Sequence, residues 1–464
     1  MRATYRHPRA ADYRRPGGPW DVPTLPDVVG DAPALAAGLR GLGIRRGDVV
    51  AWQAPNWPEV AALYRACWQL GAVAAPIHHL AGAAEVARML ATLQPTVFLP
   101  ADELRRRVTT LTAGGEHRTH HARPTDVAVV IWTGGSEGAP KGVLHTHRGL
   151  AHKARSMVAA HGLRADDVVL MPAPLAHISG LLNGVLVPGA AGMRTVFMER
   201  WDPEVALATI ERERVSFMIG PPTFFVGLIG APGFSAARVA SLRLVSSGGA
   251  GVTPAFVEEA AGALGARVKR SYGSSEAPTV TTSTSDDPVD RAIHTDGRVV
   301  GGADLRIAGD GELLVQGPEL FAGYLDADQT RAAVTRGWFH TGDLATLDDG
   351  WLTIVGRKKD VVIRGGENIS PAEVEQVVAR HPAVRECAAV GMHDDRLGER
   401  VCIFVVGEPA FDLDECRRWF AAEGVARFKT PERIEHVDAL PTLAAGKVDR
   451  SALRMRADRT NGPT

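Results

Sequence analysis

The chain is short of lysine. Of its 52 basic residues only seven are lysines (Lys141, Lys153, Lys269, Lys358, Lys359, Lys429 and Lys447), and the other 45 are arginines. An arginine-favouring genome explains the background, so a retained lysine marks a place where a compact ammonium serves and a planar guanidinium does not. Cysteine is also scarce. Cys67, Cys387, Cys402 and Cys416 include no CxxC pair and no metal-type spacing, which argues against a disulfide framework or a zinc module and for buried free thiols. Neither sign of charge dominates: the formal net charge is -1, and a nucleic-acid protein normally carries a basic domain or stripe. Long apolar runs are missing too. The least polar stretch, 168–193, is interrupted by Pro172, Pro174, His177, Asn183 and Pro188, which excludes a spanning helix. The first residues lack an apolar core of the secretory type, so a cytoplasmic location is expected.

What is present is a rhythm. Helical patterns over 32–42, 57–70 and 85–93 alternate with short apolar runs at 48–55, 71–77 and 95–100. The alternation returns at 205–222 and 257–273, and predicts βαβ units with mainly parallel sheets. After Asp296 the texture changes to short strands between Gly and Asp turns, a small antiparallel or mixed β unit. Beyond Gly356 a basic, Gly-punctuated segment leads into about a hundred residues able to form their own α+β domain.

Five segments carry candidate chemistry. In the first, an apolar run ends in Thr133-Gly134-Gly135-Ser136-Glu137-Gly138-Ala139-Pro140-Lys141-Gly142. Small side chains expose backbone N–H groups to phosphate oxygens, and the lysine adds charge. It is not a Walker loop, because Gly142 stands where Ser or Thr would follow the lysine. The second, 271–278, offers Ser274 and Ser275 as donors and Glu276 as a magnesium ligand. The third places Asp343 after a Thr-Gly turn, where a carboxylate accepts hydrogen bonds from a ribose diol. The fourth is 356–375, and the fifth sets Lys447 on a Gly-flanked segment at 440–450. Each alone is equally a turn; their order and spacing are specific.

Together with the segments 174–180 and 246–253, these motifs resemble the adenylate-forming superfamily of acyl-CoA synthetases, adenylation domains and luciferases, over about residues 30–455. The resemblance implies an α/β fold: a large N-terminal domain of stacked α/β sheets with a β-subdomain, here residues 1–356, and a small mobile α+β domain, here 357–464. It implies that Thr133, Gly134, Gly135, Ser136, Gly138 and Lys141 wrap the ATP phosphates, and that Gly248, Gly249, Ala250 and Tyr272 line the adenine. Ser275 would contact the α-phosphate, Glu276 would bind Mg²⁺, and Asp343 and Arg357 would hold the ribose. Lys447 would bridge the carboxylate and the α-phosphate, and His177 would shape the acyl-site wall. Lys359 would be the hinge, and Gly365 and Gly366 would pass the pantetheine arm of CoA.

The run Arg364-Gly365-Gly366-Glu367-Asn368-Ile369 looks like that of CoA ligases, and no carrier-domain serine motif follows Lys447. A free-standing enzyme is therefore expected, with ATP, Mg²⁺ and CoA as cofactors and an apolar carboxylic acid as substrate. Loading of a carrier protein is the nearest alternative, a ligand-binding member with impaired turnover is another, and a homodimer is left open.

Two departures from the family pattern stand out. Glu137 occupies a position usually held by threonine, and is expected to face solvent or to join the metal shell. The segment before residue 30 is shorter than usual, which bears on stability or oligomerisation and not on the phosphate site. The pairs His78-His79 and His145-x-His147 read as turn or helix-end residues rather than metal ligands. The run Arg105-Arg106-Arg107 reads as a solvated face.

Overall fold

The computed structural model describes residues 32–104, 106, 122–133, 140–249, 251–442 and 448–459. Among these, the strands form three sheets of six, twelve and five members. The first sheet has Val49–Gln53 flanked by the parallel strands Val73–Ile77 and Val97–Pro100. It continues through Val127–Thr133 and the antiparallel Lys141–Thr146 to the two-residue strand Gly323–Tyr324. Successive side chains of a strand point to opposite faces, and the strand Val49–Gln53 is buried on both. Val49 and Ala51 pack beneath the helix Ala83–Leu93, while Val50 and Trp52 enter a core shared with the second sheet.

That shared core contains the helices Pro58–Leu70 and His147–His161 and reaches Val169, Met171, Phe217 and Ile219 of the second sheet. The opposite face of the second sheet is covered by Pro203–Glu213, Pro222–Ile229 and Pro254–Leu264. The layers are therefore helix, sheet, helices, sheet, helices, the stacked α/β architecture expected from the alternating pattern. The strands after Asp296 are antiparallel, as expected, but they form no separate sheet. They extend the parallel strands into one twelve-stranded sheet through Thr281–Thr282 and Arg298–Val299.

The third sheet contains Val362–Arg364, Glu367–Ile369, Val384–Asp394, Gly398–Gly407 and Arg433–His436. One face packs on the helices Pro371–Val378 and Leu413–Ala422, and the other on Arg450–Arg459. Cys67, Cys402 and Cys416 are buried and Cys387 half-buried, all as free thiols. Burial pushes the Cys402 and Cys416 thiols up to about 12. Among the described residues no helix is long and apolar enough to cross a membrane. The stretch 168–193 is a strand followed by short helical pieces, with a π-helical turn over Leu182–Leu186.

Candidate active site

The strands Val127–Thr133 and Lys141–Thr146 form a hairpin in which Thr133 lies opposite Lys141, so the glycine-rich segment is the loop closing it. Gly134, Gly135, Ser136, Glu137 and Gly138 lie outside the described residues, as does Ala250. Gly142 has a packing role: a Cβ there would stand 2.3 Å from Leu325 Cδ1, and Leu325 N–H donates to the Gly142 carbonyl. The strand pairing sets Tyr324 beside this hairpin. The Lys141 ammonium lies over the Tyr324 ring, 5.4 Å from its centroid. The Tyr324 hydroxyl donates to Glu276 Oε1 at 2.7 Å, and burial together with that carboxylate raises its pKa.

Glu276 sits in the turn after the strand Arg267–Tyr272. Gly273 allows the turn to close, since a Cβ there would meet Thr279 N at 2.3 Å. Ser274 serves the turn as well as offering a donor: its Oγ accepts from Ala277 N–H at 3.1 Å, which leaves its O–H to donate. The Ser275 carbonyl accepts from His145 Nε2–H at 2.7 Å, which fixes the histidine tautomer. His145 is a buried strand residue rather than a turn residue, and burial lowers its pKa to about 4, so it stays neutral at pH 7. The Glu276 carbonyl is held by Phe321 N–H at 2.8 Å.

Four residues earlier, the Tyr272 hydroxyl donates to Asp343 Oδ2 at 2.7 Å. Burial and Asp343 raise the phenol's pKa well above its usual value. Asp343 is buried, and its Oδ1 pairs with Arg357 Nε at 2.9 Å. The pairing is built into the sheet, because Asp343 and Arg357 are register partners on the strands Trp338–Asp348 and Trp351–Arg357. Below them the Glu312 carboxylate accepts from Gly342 N–H at 3.0 Å, and Thr341 Oγ accepts from Asp343 N–H at 3.0 Å. Gly248 ends the strand Leu244–Gly248 directly beside Ser271, and Gly249 has a φ of +77°. The segment 272–276 thus joins two clusters, Tyr272–Asp343–Arg357 and Lys141–Tyr324–Glu276. The segment follows the carboxyl end of the parallel strand Arg267–Tyr272, where α/β sheets bind ligands, and antiparallel strands bring Asp343, Arg357, Lys141 and Tyr324 to it.

Gly248 has no room for a side chain. A Cβ would be 2.3 Å from the Ser271 carbonyl oxygen and 2.6 Å from its Oγ. Gly248→Ala is expected to cost about 1–3 kcal/mol of stability through overpacking and to weaken ATP binding. Urea unfolding with ATP titration checks both.

His177 caps the short helix Ile178–Leu181. Its segment is held from behind by Asn56, which donates to the Ala173 carbonyl and accepts from Leu175 N–H, both at 2.8 Å. Sequence reading passed over Asn56. The His177 ring lies 5.1 Å from His78, which stacks on His79 at 4.7 Å. Burial and the two neighbouring imidazoles bring His78 down to about 3. Among the described residues no cluster is arranged to hold a metal through three or more His, Cys, Asp or Glu side chains.

Arg357 reaches the Asp343 cluster, but its neighbours diverge. Lys358 pairs with Asp310 at 2.6 Å and Glu312 at 3.3 Å, and Lys359 is exposed in the same 3₁₀ turn. Gly365 and Gly366 form the turn of the hairpin Val362–Arg364/Glu367–Ile369, with φ of +59° and +93°, the left-handed pair a two-residue turn demands. Gly365 N–H donates to the Leu397 carbonyl. Lys447 lies outside the described residues.

The two clusters bring a half-buried carboxylate, Glu276, an arginine-paired acid, Asp343, and a lysine, Lys141, onto one short segment. The chain belongs to the AMP-binding enzymes: residues 24–325 match that family, and residues 373–447 match the AMP-binding enzyme C-terminal domain. It is 33% identical over 474 residues to the medium-chain fatty-acid–CoA ligase of Escherichia coli, covering 91% of this chain and 84% of that protein. It is also 33% identical to a feruloyl-CoA synthase from Amycolatopsis, over 91% of each chain. Among solved structures, ATP-bound MatB from Rhodopseudomonas palustris superposes with a TM-score of 0.84 at 27% identity, over 92% of each chain.

Proposed function

We propose that the chain is an acid–CoA ligase that forms an acyl-adenylate from ATP and an apolar carboxylic acid, then transfers the acyl group to CoA. The observation that carries this reading is the convergence on segment 272–276 of Asp343 and Arg357 from one side and Lys141 and Tyr324 from the other. The substrate carboxylate attacks the α-phosphorus and pyrophosphate leaves. Asp343 accepts from the ribose hydroxyls, Arg357 steadies Asp343, and Tyr272 with Gly248, Gly249 and Ala250 borders the adenine. Thr133 to Lys141 surround the leaving phosphates, Ser275 meets the α-phosphate, and Lys447 supplies positive charge where negative charge builds.

Glu276 suits the role of magnesium ligand. It is a hard oxygen donor, half-buried, with Oε1 engaged by Tyr324 and Oε2 left for a cation that Mg²⁺ sites share with substrate phosphates. Bound there, Mg²⁺ would neutralise phosphate charge. In the second half-reaction the CoA thiol attacks the acyl carbon and AMP leaves. Residues 357–464 turn about Lys359 for this step, so that Gly365 and Gly366 border the pantetheine arm and Lys447 withdraws. In this reading the acyl wall combines His177 with the apolar side chains of the helix Pro222–Ile229, which suits an apolar acid. We infer a cytoplasmic location from the proposed co-substrates, ATP and CoA.

Hydroxylamine trapping of acyl-adenylates over a panel of linear, alicyclic and aromatic acids tests the reading. A hydroxamate with at least one apolar acid, and AMP release stimulated by CoA, are expected. AMP release that depends on a carrier protein and not on CoA would move the acceptor. Tight ATP binding without any hydroxamate would favour a ligand-binding member, the reading that the carboxylate of Glu137 in the phosphate loop supports.

A further inference from the structure

Lys153 has no part in the chemistry above, yet it is among the largest fully buried side chains of the molecule. It lies on the helix His147–His161, which follows the phosphate-loop hairpin directly. Its ammonium makes three contacts: to the Thr279 carbonyl at 3.0 Å, the Val300 carbonyl at 3.1 Å and Glu319 Oε1 at 2.9 Å. The side-chain exposures of the ion pair are 1% and 0%, so water replaces none of these contacts. Two hydrogen-bonded carbonyls and an ion-paired carboxylate around one nitrogen suit a compact ammonium; a guanidinium spreads its donors over a plane and is larger. That explains a lysine here in a chain that otherwise uses arginine.

The acceptors come from the segments that flank Glu276. Thr279 lies three residues after it and carries a φ of +36°, an unusual backbone state for a β-branched residue that its surroundings must hold. Glu319 lies two residues before Phe321, whose N–H holds the Glu276 carbonyl, and five before Tyr324, whose hydroxyl holds the Glu276 carboxylate. His152 adds a second tie, with its Nε2 bonded to the Gly301 carbonyl and 3.8 Å from Glu319 Oε2. A Cβ on Gly301 would come to 3.0 Å from the Lys153 ammonium, so the turn after Val300 is shaped to that lysine.

We infer that the buried Lys153–Glu319 pair is a positioning device that fastens both walls of the Glu276 turn to the helix behind the phosphate loop, and so holds the carboxylate in place for magnesium-bound ATP. The inference rests on the proposed role of Glu276. Removing one partner alone would leave a bare buried charge and unfold the region. The informative variant is therefore Lys153→Met with Glu319→Leu, compared with Lys153→Arg.

The double variant is expected to melt cooperatively. It should need about 10–100-fold more Mg²⁺ for half-maximal adenylation, the range seen when groups supporting a metal ligand are removed, and show a matching loss of Mn²⁺ binding with ATP by electron paramagnetic resonance. Adenylation should fall at least about tenfold more than thioester formation from supplied acyl-adenylate, because only the first step uses the phosphate-bound cation. Lys153→Arg should not rescue the Mg²⁺ requirement. A folded double variant with an unchanged Mg²⁺ requirement, or equal loss of both half-reactions, would overturn the inference. Amide hydrogen exchange on the native chain gives a measure that needs no variant. Residues 274–279 should exchange as slowly as the strand Arg267–Tyr272 without any ligand, and fast exchange there would also overturn it. If the native chain makes no hydroxamate with any acid, the ligase reading fails, while exchange and Mn²⁺·ATP binding still decide the role of Lys153.

Discussion

Asp343→Ala is expected to raise the KM for ATP in the adenylation step by about a hundredfold or more. Asp343 is 4% exposed, with Tyr272 on one oxygen and Arg357 on the other. Each carboxylate oxygen keeps capacity for a further donor, which in the proposed function is a ribose hydroxyl. Hydrogen bonds to a charged group contribute about 1.5–3 kcal/mol each, so losing two amounts to about 3–6 kcal/mol, or two to four orders of magnitude. The substitution also removes the acceptor of the Tyr272 hydroxyl, at a stability cost of about 1–3 kcal/mol. Arg357, half-exposed, can turn to water at little cost. Asp343→Asn separates the two effects: the amide oxygen still accepts from Tyr272, so unfolding should stay near native while the KM remains raised. Pyrophosphate exchange at varied ATP, alongside urea unfolding, reads both. A KM within threefold of native for the folded alanine variant would remove Asp343 from the nucleotide site.

The sequence made some of this site legible and hid the rest for physical reasons. Asp343 and Arg357 belong to motifs fourteen positions apart, and a hairpin register brings them together. Tyr324 was not found because it acts from a two-residue strand whose partner lies about 180 residues earlier, too short to leave a periodic signal. Its one trace is the Gly-Tyr pair closing the segment after Glu319. His145 looked like half of an idle HxH pair, since residue type does not reveal that a carbonyl waits at 2.7 Å. The lysines show the same limit.

Lys269 is buried, donates to the Ala160 and Ser283 carbonyls, and is lowered to about 7 by burial. Lys429 pairs with Glu373, and Lys358 with Asp310 and Glu312. With Lys153, these three lysines, to which the sequence motifs assign no role, sit on specific acceptors, and composition alone shows the scarcity without the acceptors. The parallel layers were legible because buried strands and amphipathic helices repeat locally. The joining of the antiparallel strands to the same sheet was not, because it depends on the short pairs Thr281–Thr282 and Arg298–Val299.

Lys447→Ala is expected to lower adenylation by about 10²–10³-fold, the loss seen when one donor to developing charge is removed, while thioester formation from supplied acyl-adenylate stays within a few-fold of native. The lysine lies beyond the described residues, but the base of its loop is built: Thr442 bridges to Val448, and Asp449 N–H donates to the Pro441 carbonyl. Under the proposed function Lys447 serves the α-phosphate in the first half-reaction only, which the comparison of the two half-reactions tests. The opposite lesion is Lys359→Pro. Lys359 sits in the 3₁₀ turn Lys358–Asp360 between the last strand of the second sheet and the first of the third, the position of the hinge in the proposed function. Proline fixes φ near -65°, which holds the turn in one conformation. Adenylation should survive and CoA transfer should fall by at least about tenfold. The two variants make the assignment testable as a pair. If the half-reactions fall together in Lys447→Ala, the lysine acts on structure rather than on the α-phosphate. If CoA transfer survives in Lys359→Pro, the hinge assignment is wrong.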